Sequence, residues 1–217
     1  MSDFQKSLVS ASKFRVMWVR RVGMVAAFVG LAVSATGCAL LKSPPPPRDT
    51  FEISAPQSFG GLASSTRAQI LVKQPTALKS IDSDRMVLRT GASEITYLAG
   101  AQWSDTVPRM VQAKLVEAFE NTSAVGAVAK PGDGLVIDYQ LVIDIRRFEI
   151  TGDASPEAVI EMSVKLLTDR SGKVIETGIF RAAAPVAADG TAGAVSAFDA
   201  AFDKLSRGVV RWVLSRV

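Results

Sequence analysis

The sequence predicts a single α/β domain of the α+β type over residues 51–217, in which a mixed or antiparallel sheet is flanked by helices. Three observations predict this fold class. Residues 135–186 contain three strand-length stretches of alternating polar and apolar residues, residues 103–119 carry apolar residues at helical spacing, and residues 194–217 form a second helical pattern. A chain of 217 residues is long enough for one domain with a substantial core.

The first predicted elements of this domain are short strands. Residues 68–75, "AQILVKQP", are typical of a strand that ends at Pro75. Residues 85–99 contain two further strand patterns on either side of "TGAS" at 90–93, and the glycine in this stretch favours a turn. These two strands are therefore predicted to form a hairpin.

A helix is predicted after the hairpin. Ser104 or Asp105 is placed to cap its first turn, and Pro108 falls within that turn, where proline is tolerated. The apolar residues at helical spacing are Trp103, Val107, Met110, Val111, Leu115, Ala118 and Phe119. A short strand and a turn then occupy residues 123–134, where Gly132-Asp133-Gly134 is typical of a turn rather than of a phosphate or metal site.

Residues 135–150 carry the longest strand pattern, and two more strands follow it. Its apolar face is predicted to hold Leu135, Ile137, Tyr139, Leu141, Ile143 and Ile145, and its polar face Asp138, Gln140, Asp144 and Arg146. The second strand points Ala158, Ile160, Met162, Val164 and Leu166 inward. After a turn at 170–173, residues 174–186 return, which predicts a three-stranded meander whose other face is polar or only partly covered.

The chain ends in a predicted amphipathic helix that begins near Ala194. Its apolar stripe contains Val195, Phe198, Phe202, Leu205, Val209 and Trp212, while Asp199, Asp203, Lys204 and Arg207 point elsewhere. We expect this helix to pack on the sheet. The alternative, a membrane-surface helix, is less favoured because the polar face mixes both signs of charge.

Residues 1–37 are predicted to be an export signal. Basic residues end at Arg20-Arg21, and 20 uncharged residues separate Arg21 from Lys42. The alternative is a retained membrane-spanning helix, for which 20 residues is about the right length, but residues 34–37 are small or polar. Translation from Met17 rather than Met1 would give a signal of more usual proportions, and both starts stay open.

The residues before the single cysteine, Ala35-Thr36-Gly37-Cys38, resemble the lipobox of bacterial lipoproteins, although that family prefers leucine at the position of Ala35. The resemblance implies that the Cys38 thiol receives a diacylglycerol, that the signal is cut between Gly37 and Cys38, and that the new amine is acylated. Cysteine suits such alkylation because its thiolate is a strong nucleophile, and two or more acyl chains anchor a protein firmly. An ordinary buried cysteine in a helix is the alternative.

Residues 38–50 are predicted to be a lipidated cysteine followed by a proline-rich tether. The four prolines at 44–47 favour an extended polyproline II spacer, or else a disordered linker that would behave almost identically. The residue after Cys38 is Ala39 rather than aspartate. By resemblance to the sorting rule of enteric bacteria, this residue favours the outer membrane over the inner membrane.

Composition argues against catalysis and against nucleic-acid binding. The chain has no histidine and one cysteine, so the commonest general base and the usual zinc ligands are missing, and no cofactor or metal is expected. Asp138 and Asp144 are about 20 Å apart at strand rise, too far apart for an acid–base pair. Residues 1–37 hold five of the 25 basic and one of the 21 acidic residues, so the remainder is formally neutral. The sequence predicts a protein that is not an enzyme.

Residues 67–130 resemble the auxiliary lipoproteins of bacterial ABC-type transport systems. The resemblance is carried by "IDSDRMVLR" and then by "EITYLAGAQWSDTVPRMVQAKLVEAFE", in the family's order. It implies a sheet flanked by helices, no catalysis, and work beside a permease, an ATPase and a mammalian-cell-entry-domain protein that carry lipids between two membranes. Tyr97, Trp103 and Asp105 match family positions, and we expect the two aromatic residues in the core and Asp105 at a helix start.

The predicted function is therefore that of a lipid-anchored accessory of an ABC-type transporter in the bacterial envelope, facing the periplasm. Acylated Cys38 would bind the membrane, the permease, ATPase and mammalian-cell-entry-domain protein are the predicted partners, and a homo-oligomer is left open. The alternative is a structural envelope lipoprotein that binds peptidoglycan or an outer-membrane assembly machine.

Overall fold

Ten strands and two helices succeed one another in the computed structural model, which describes residues 47–62, 65–152, 154–187 and 190–217. The strands are β1 (Asp49–Phe51), β2 (Gln69–Val72), β3 (Thr76–Ala77), β4 (Val87–Arg89), β5 (Ile95–Tyr97), β6 (Ala101–Trp103), β7 (Ala127–Ala129), β8 (Tyr139–Thr151), β9 (Glu157–Thr168) and β10 (Val174–Pro185). The helices are α1 (Val107–Glu120) and α2 (Gly190–Leu214).

The sheet is built around β8. On one side β8 pairs antiparallel with β9, and β9 pairs antiparallel with β10, which confirms the predicted meander. Along its other side β8 pairs in parallel with β2, β3 and β4 in turn. Beyond these, β7 is parallel to β2 and β5 is antiparallel to β4, while β1 and β6 form a separate parallel pair. The predicted mixed sheet and the predicted hairpin are both present.

Strand β8 differs from its prediction at both ends. It begins at Tyr139, and Leu135 lies before it with 43% of its surface exposed, so the prediction that Leu135 and Ile137 extend the apolar face is wrong. A bulge between Ile145 and Arg147 then shifts the alternation by one residue. As a result the apolar residues that face the core after the bulge are the even-numbered Phe148 and Ile150.

Helix α1 begins at Val107, with Thr106 in extended conformation as its N-cap residue. The prediction that Ser104 or Asp105 caps the helix is wrong, because the backbone of Ser104 still pairs with Phe51 and no side chain caps α1. The need for a cap is reduced here, since the Val107 N–H donates to the Ser83 carbonyl and the next residue is a proline without an N–H.

Both helices pack on the same face of the sheet and contact each other. Helix α2 covers β9 and β10, which confirms the predicted C-terminal helix on the sheet. It begins at Gly190, four residues earlier than expected, because its first residues are too small to produce an apolar pattern. The fully buried residues of its predicted stripe are Phe198, Phe202, Leu205 and Val209, whereas Val195 and Trp212 lie half-buried at its border.

The centre of the core is an aromatic cluster that joins three parts of the chain. The Trp103 ring meets Phe148 and Phe198 edge-on at centroid distances of 5.7 and 5.2 Å, and the two phenylalanine rings stack at 4.9 Å. Such pairs add to the stabilisation from burying the rings. Within the described residues, neither helix combines the length and the apolar character that crossing a bilayer requires.

Candidate functional site

The predicted processing site, Gly37 and Cys38, lies outside the described residues, as does the export signal at 1–37. Most of the tether at 38–50 also lies outside them, and the description begins at Pro47. Acylation of Cys38 therefore stays a prediction. The structure describes the domain that would follow this anchor.

Residues 52–62, here called the leading segment, connect β1 to the rest of the domain and are bound to α2. The Ser54 N–H donates to the Asp199 carboxylate at 2.6 Å. Farther along, Arg207 donates to the Ser58 carbonyl and is itself held by a 2.8 Å ion pair with Asp203. The first part of the domain after the tether is therefore fixed to the last helix, although sequence periodicity gave no sign of this contact.

A buried ion cluster lies on the sheet face away from the helices, here called the open face. The Glu149 side chain is 2% exposed. Arg89 donates to both of its carboxylate oxygens at 2.8 Å, and Arg147 donates to one of them at 2.7 Å. Burial alone would raise the pKa of Glu149, but these hydrogen bonds and the two positive charges outweigh burial and hold the pKa below its ordinary value.

The ion cluster joins two strands rather than forming a reactive centre. Glu149 and Arg147 lie on β8, and Arg89 lies on β4, which pairs with β8 at this level. All the carboxylate oxygens are already engaged, so the arrangement suits a structural clamp. The role of Glu149 was not predicted from the sequence. The available signal was "IRRFEI", in which two adjacent arginines interrupt the alternation at the point where the bulge occurs.

The three residues that match family positions have different surroundings. Trp103 is 1% exposed, as predicted, although it lies in β6 rather than in the helical pattern. Its indole N–H has no hydrogen-bond partner among the described atoms. The prediction that Tyr97 is a core residue is wrong, because its ring is half-exposed beneath the Arg85 guanidinium, 3.4 Å away. Asp105 is exposed and accepts a hydrogen bond from the N–H of Thr106.

The acidic residues considered for catalysis are exposed and serve local structure. Asp138 precedes β8 and accepts a hydrogen bond from the Gln69 N–H at 2.9 Å. Asp144, in the middle of β8, accepts one from the Thr76 hydroxyl at 3.1 Å. Among the described residues no group of three or more acidic or cysteine side chains is arranged to hold a metal ion. A shallow groove between β10 and α2 is lined by alanines, Pro185, Gly193 and Ser196, with no ionisable group.

The most distinctive surface of the described domain is strand β10. It lies at the edge of the sheet, with β9 on one side and no further strand of the described chain on the other. Three of the six large apolar side chains that are most exposed belong to it, namely Val174, Ile175 and Ile179. An exposed strand edge with apolar side chains is typical of a protein-binding surface.

Comparisons with known proteins agree with this fold. The family model of the ABC-type transport auxiliary lipoprotein component matches residues 51–210. A relative from Bradyrhizobium diazoefficiens, itself described only as an uncharacterized protein, is 31% identical over 173 residues, which is 80% of this chain. The match covers 47% of that relative, so the chain spans about half its length.

Two crystal structures resemble the domain. Protein XCC0632 from Xanthomonas campestris superimposes with a TM-score of 0.73 at 30% identity, over 77% of this chain and 95% of that one. An uncharacterized protein superimposes with a TM-score of 0.62 at 15% identity, over 77% and 99% of the two chains, which supports the fold alone. The family model covers the whole sheet and most of α2, and the chain belongs to the ABC-type transport auxiliary lipoprotein family.

Proposed function

We propose that this protein is a membrane-anchored accessory of an ABC-type transporter of the mammalian-cell-entry type and that it works in lipid trafficking across the periplasm. The observation that carries the proposal is the family match over residues 51–210, directly after the predicted lipidation site and tether. The permease, the ATPase and the mammalian-cell-entry-domain protein of such a system are its proposed partners.

A role through binding rather than catalysis is part of the proposal. The chain has no histidine, and Glu149, the most buried charged side chain among the described residues, is engaged by two arginines. The exposed apolar residues lie instead on an edge strand and on loops, where a partner protein can reach them. These features support a non-enzymatic accessory.

Anchoring would place the domain near its membrane-bound partners. Confining a domain to a membrane raises its effective concentration there without any new contact. We propose that acylated Cys38 provides this anchor on the periplasmic side of the envelope, in the outer rather than the inner membrane, and that residues 51–217 provide recognition.

Acylation is tested with the Cys38→Ala variant in cells supplied with a fatty-acid probe. The wild type should take up the label and fractionate with outer membranes, while the variant should remain unlabelled. An Ala39→Asp variant is the matched control, because it keeps Cys38 and should still be labelled. If the wild type takes up no label, the anchor proposal is wrong and the retained membrane-spanning helix becomes the better explanation.

Partnership is tested by chemical cross-linking of the full chain in membranes, followed by identification of the captured proteins and by a lipid-exchange assay. Recovery of permease, ATPase and mammalian-cell-entry-domain protein is the expected result. A signal-exported form that begins near Ser43 should fail to restore lipid exchange at native expression. Recovery of peptidoglycan or of an outer-membrane assembly machine, with lipid exchange unaffected by deletion, would favour a structural envelope lipoprotein instead.

A further inference from the structure

We propose that β10 is a self-association surface, through which two copies of this chain pair antiparallel about a two-fold axis at Ile179. The sheet would then continue from one copy into the other. This inference does not depend on the transport proposal, because it uses only the geometry and the sequence of the edge strand.

The backbone of β10 has an unused side. Its ladder with β9 is regular from Glu176, opposite Leu166, to Pro185, opposite Glu157. Among the strands that the structure describes, β9 alone pairs with it. Successive residues of a strand direct their N–H and C=O groups to alternate sides, so about half of these backbone groups point outward. They form a template for one more strand.

The usual protection of an edge strand is reduced in the middle of β10, where Arg181 is the charged residue nearest to Ile179. A bulge lies at its start, between Val174 and Glu176, and Pro185 lies at its end. Both are features that discourage edge pairing, but between them the ladder is regular. At its centre Ile179 is 62% exposed on the open face. The side chains therefore add an apolar contact at the place where the backbone is free.

The sequence of β10 is suited to pairing with itself. In an antiparallel pair centred on Ile179, this isoleucine lies directly opposite Ile179 of the second copy. Thr177 then lies opposite Arg181, and both are on the open face. On the helix face Gly178 lies opposite Phe180, and within each copy the Phe180 ring already packs over Gly178 and against Trp212.

Three neighbouring registers, centred on Arg181, Glu176 or Phe180, are worse matched. Centring the pair on Arg181 or on Glu176 would place like charges directly opposite each other, which is destabilising. Centring it on Phe180 would place Ile179 against the charged Arg181. The register centred on Ile179 avoids both faults, since Glu176 then faces Ala182 and each arginine faces a threonine hydroxyl that can accept a hydrogen bond.

On these observations, the free edge of β10 is better suited to a second copy of this chain than to a strand of another protein. Two-fold pairing covers the exposed edges of both copies at once, and the sheet that results ends on each side at short strands such as β7, which has three residues. The match between Ile179, Thr177 and Arg181 is supplied by the chain itself, without any requirement on a partner's sequence.

The register is tested by disulfide cross-linking of the full chain in membranes. In the Ile179→Cys variant, the two introduced thiols should lie opposite each other and give a covalent dimer on mild oxidation. Two controls keep the result specific. The wild type contains only Cys38, and the Leu78→Cys variant carries a thiol at another highly exposed site, 74% exposed, away from β10. Neither should give the dimer to a comparable extent.

A second measurement gives the mass of the detergent-solubilised complex by native mass spectrometry or sedimentation. The wild type and Leu78→Lys should show the mass of two chains, and Ile179→Lys should show one, because two lysines would face each other. Circular dichroism should show that Ile179→Lys is folded, since the replaced side chain is exposed. A monomeric wild type, or equal cross-linking at positions 78 and 179, would overturn the proposal, as would a larger assembly without the 179–179 cross-link.

Discussion

At the residue scale, Glu149 shows how a charged side chain can be buried when it is paired with two arginines. Its carboxylate is surrounded by donors from Arg89 and Arg147, whose side chains remain 34% and 26% exposed. Removing the carboxylate would leave two arginines that can regain some hydration. The loss of folding stability should therefore be smaller than for a fully buried ion pair. The cluster therefore contributes stability mainly through its charge-assisted hydrogen bonds.

The Glu149→Gln variant should lower the free energy of unfolding by roughly 2 kcal/mol, the usual scale for hydrogen bonds to charged groups. Glu161→Gln is the matched control, because its 3.9 Å contact with Arg146 on the neighbouring strand is weak and the expected change is within about 0.5 kcal/mol. Urea unfolding measures both. Equal losses in the two variants would contradict the assignment of Glu149 as a structural clamp.

The stability of the wild type and that of Glu149→Gln should also depend differently on pH. The pKa of Glu149 is lowered in the folded state, so its contribution is fully present above the ordinary carboxyl pKa of 4.5 and is lost as the pH falls through the lower folded-state value. The wild type should therefore lose stability between neutral pH and acid more steeply than Glu149→Gln. Parallel curves would show that the carboxylate has no depressed pKa.

At the element scale, the periodicity of apolar residues predicted the long strands and α2, but it did not predict how neighbouring elements contact each other. The three meander strands and α2 follow from alternation and from three- and four-residue spacing, because each buries one face. The bulge in β8 was not predicted, since it depends on how two neighbouring strands are registered. Tyr97 was assigned to the core on its aromatic character, but the chain places it beside Arg85 at the surface.

Helix α2 should contribute strongly to stability through Phe198. This residue is fully buried and contacts both other rings of the aromatic cluster. Phe198→Ala should cost roughly 3–5 kcal/mol in thermal or denaturant unfolding. The control is Lys204→Ala on the exposed side of the same helix, with an expected change within about 0.5 kcal/mol. A loss below about 0.5 kcal/mol for Phe198→Ala would mean that α2 does not pack on the sheet in solution.

Gly126, just before β7, lies against the backbone of Arg67, just before β2. This close approach requires a residue without a side chain. A Cβ atom at Gly126 would lie 2.1 Å from the Arg67 carbonyl oxygen, and the backbone there cannot move aside as a side chain can. Gly126→Ala should therefore cost about 1–3 kcal/mol, the usual scale of overpacking. Gly60→Ala has open space around the new methyl group and should be nearly neutral. If calorimetry finds both variants equally stable, the close approach is not real.

At the scale of the whole molecule, residues 1–50 are predicted to determine location, whereas the domain that follows determines shape. Composition was sufficient to show that the chain after residue 37 is formally neutral, and the anchor at Cys38 stays a prediction from its motif. The contacts of the leading segment with α2 could not be predicted, because they join single residues such as Ser54 and Asp199 without any repeating pattern. Long-range contacts of this kind are visible only in three dimensions.

The leading segment also has a consequence for the order in which the chain can fold. Ser54 and Asp199 are separated by 145 positions, and Arg207 binds a carbonyl 149 positions earlier. Contacts with such large sequence separation form slowly, because the entropy of closing the loop is lost before the contact stabilises anything. The first segment of the domain has no final binding site until its last helix has been synthesised. The export predicted from residues 1–37 would then deliver a domain whose first segment and last helix close together only after passage.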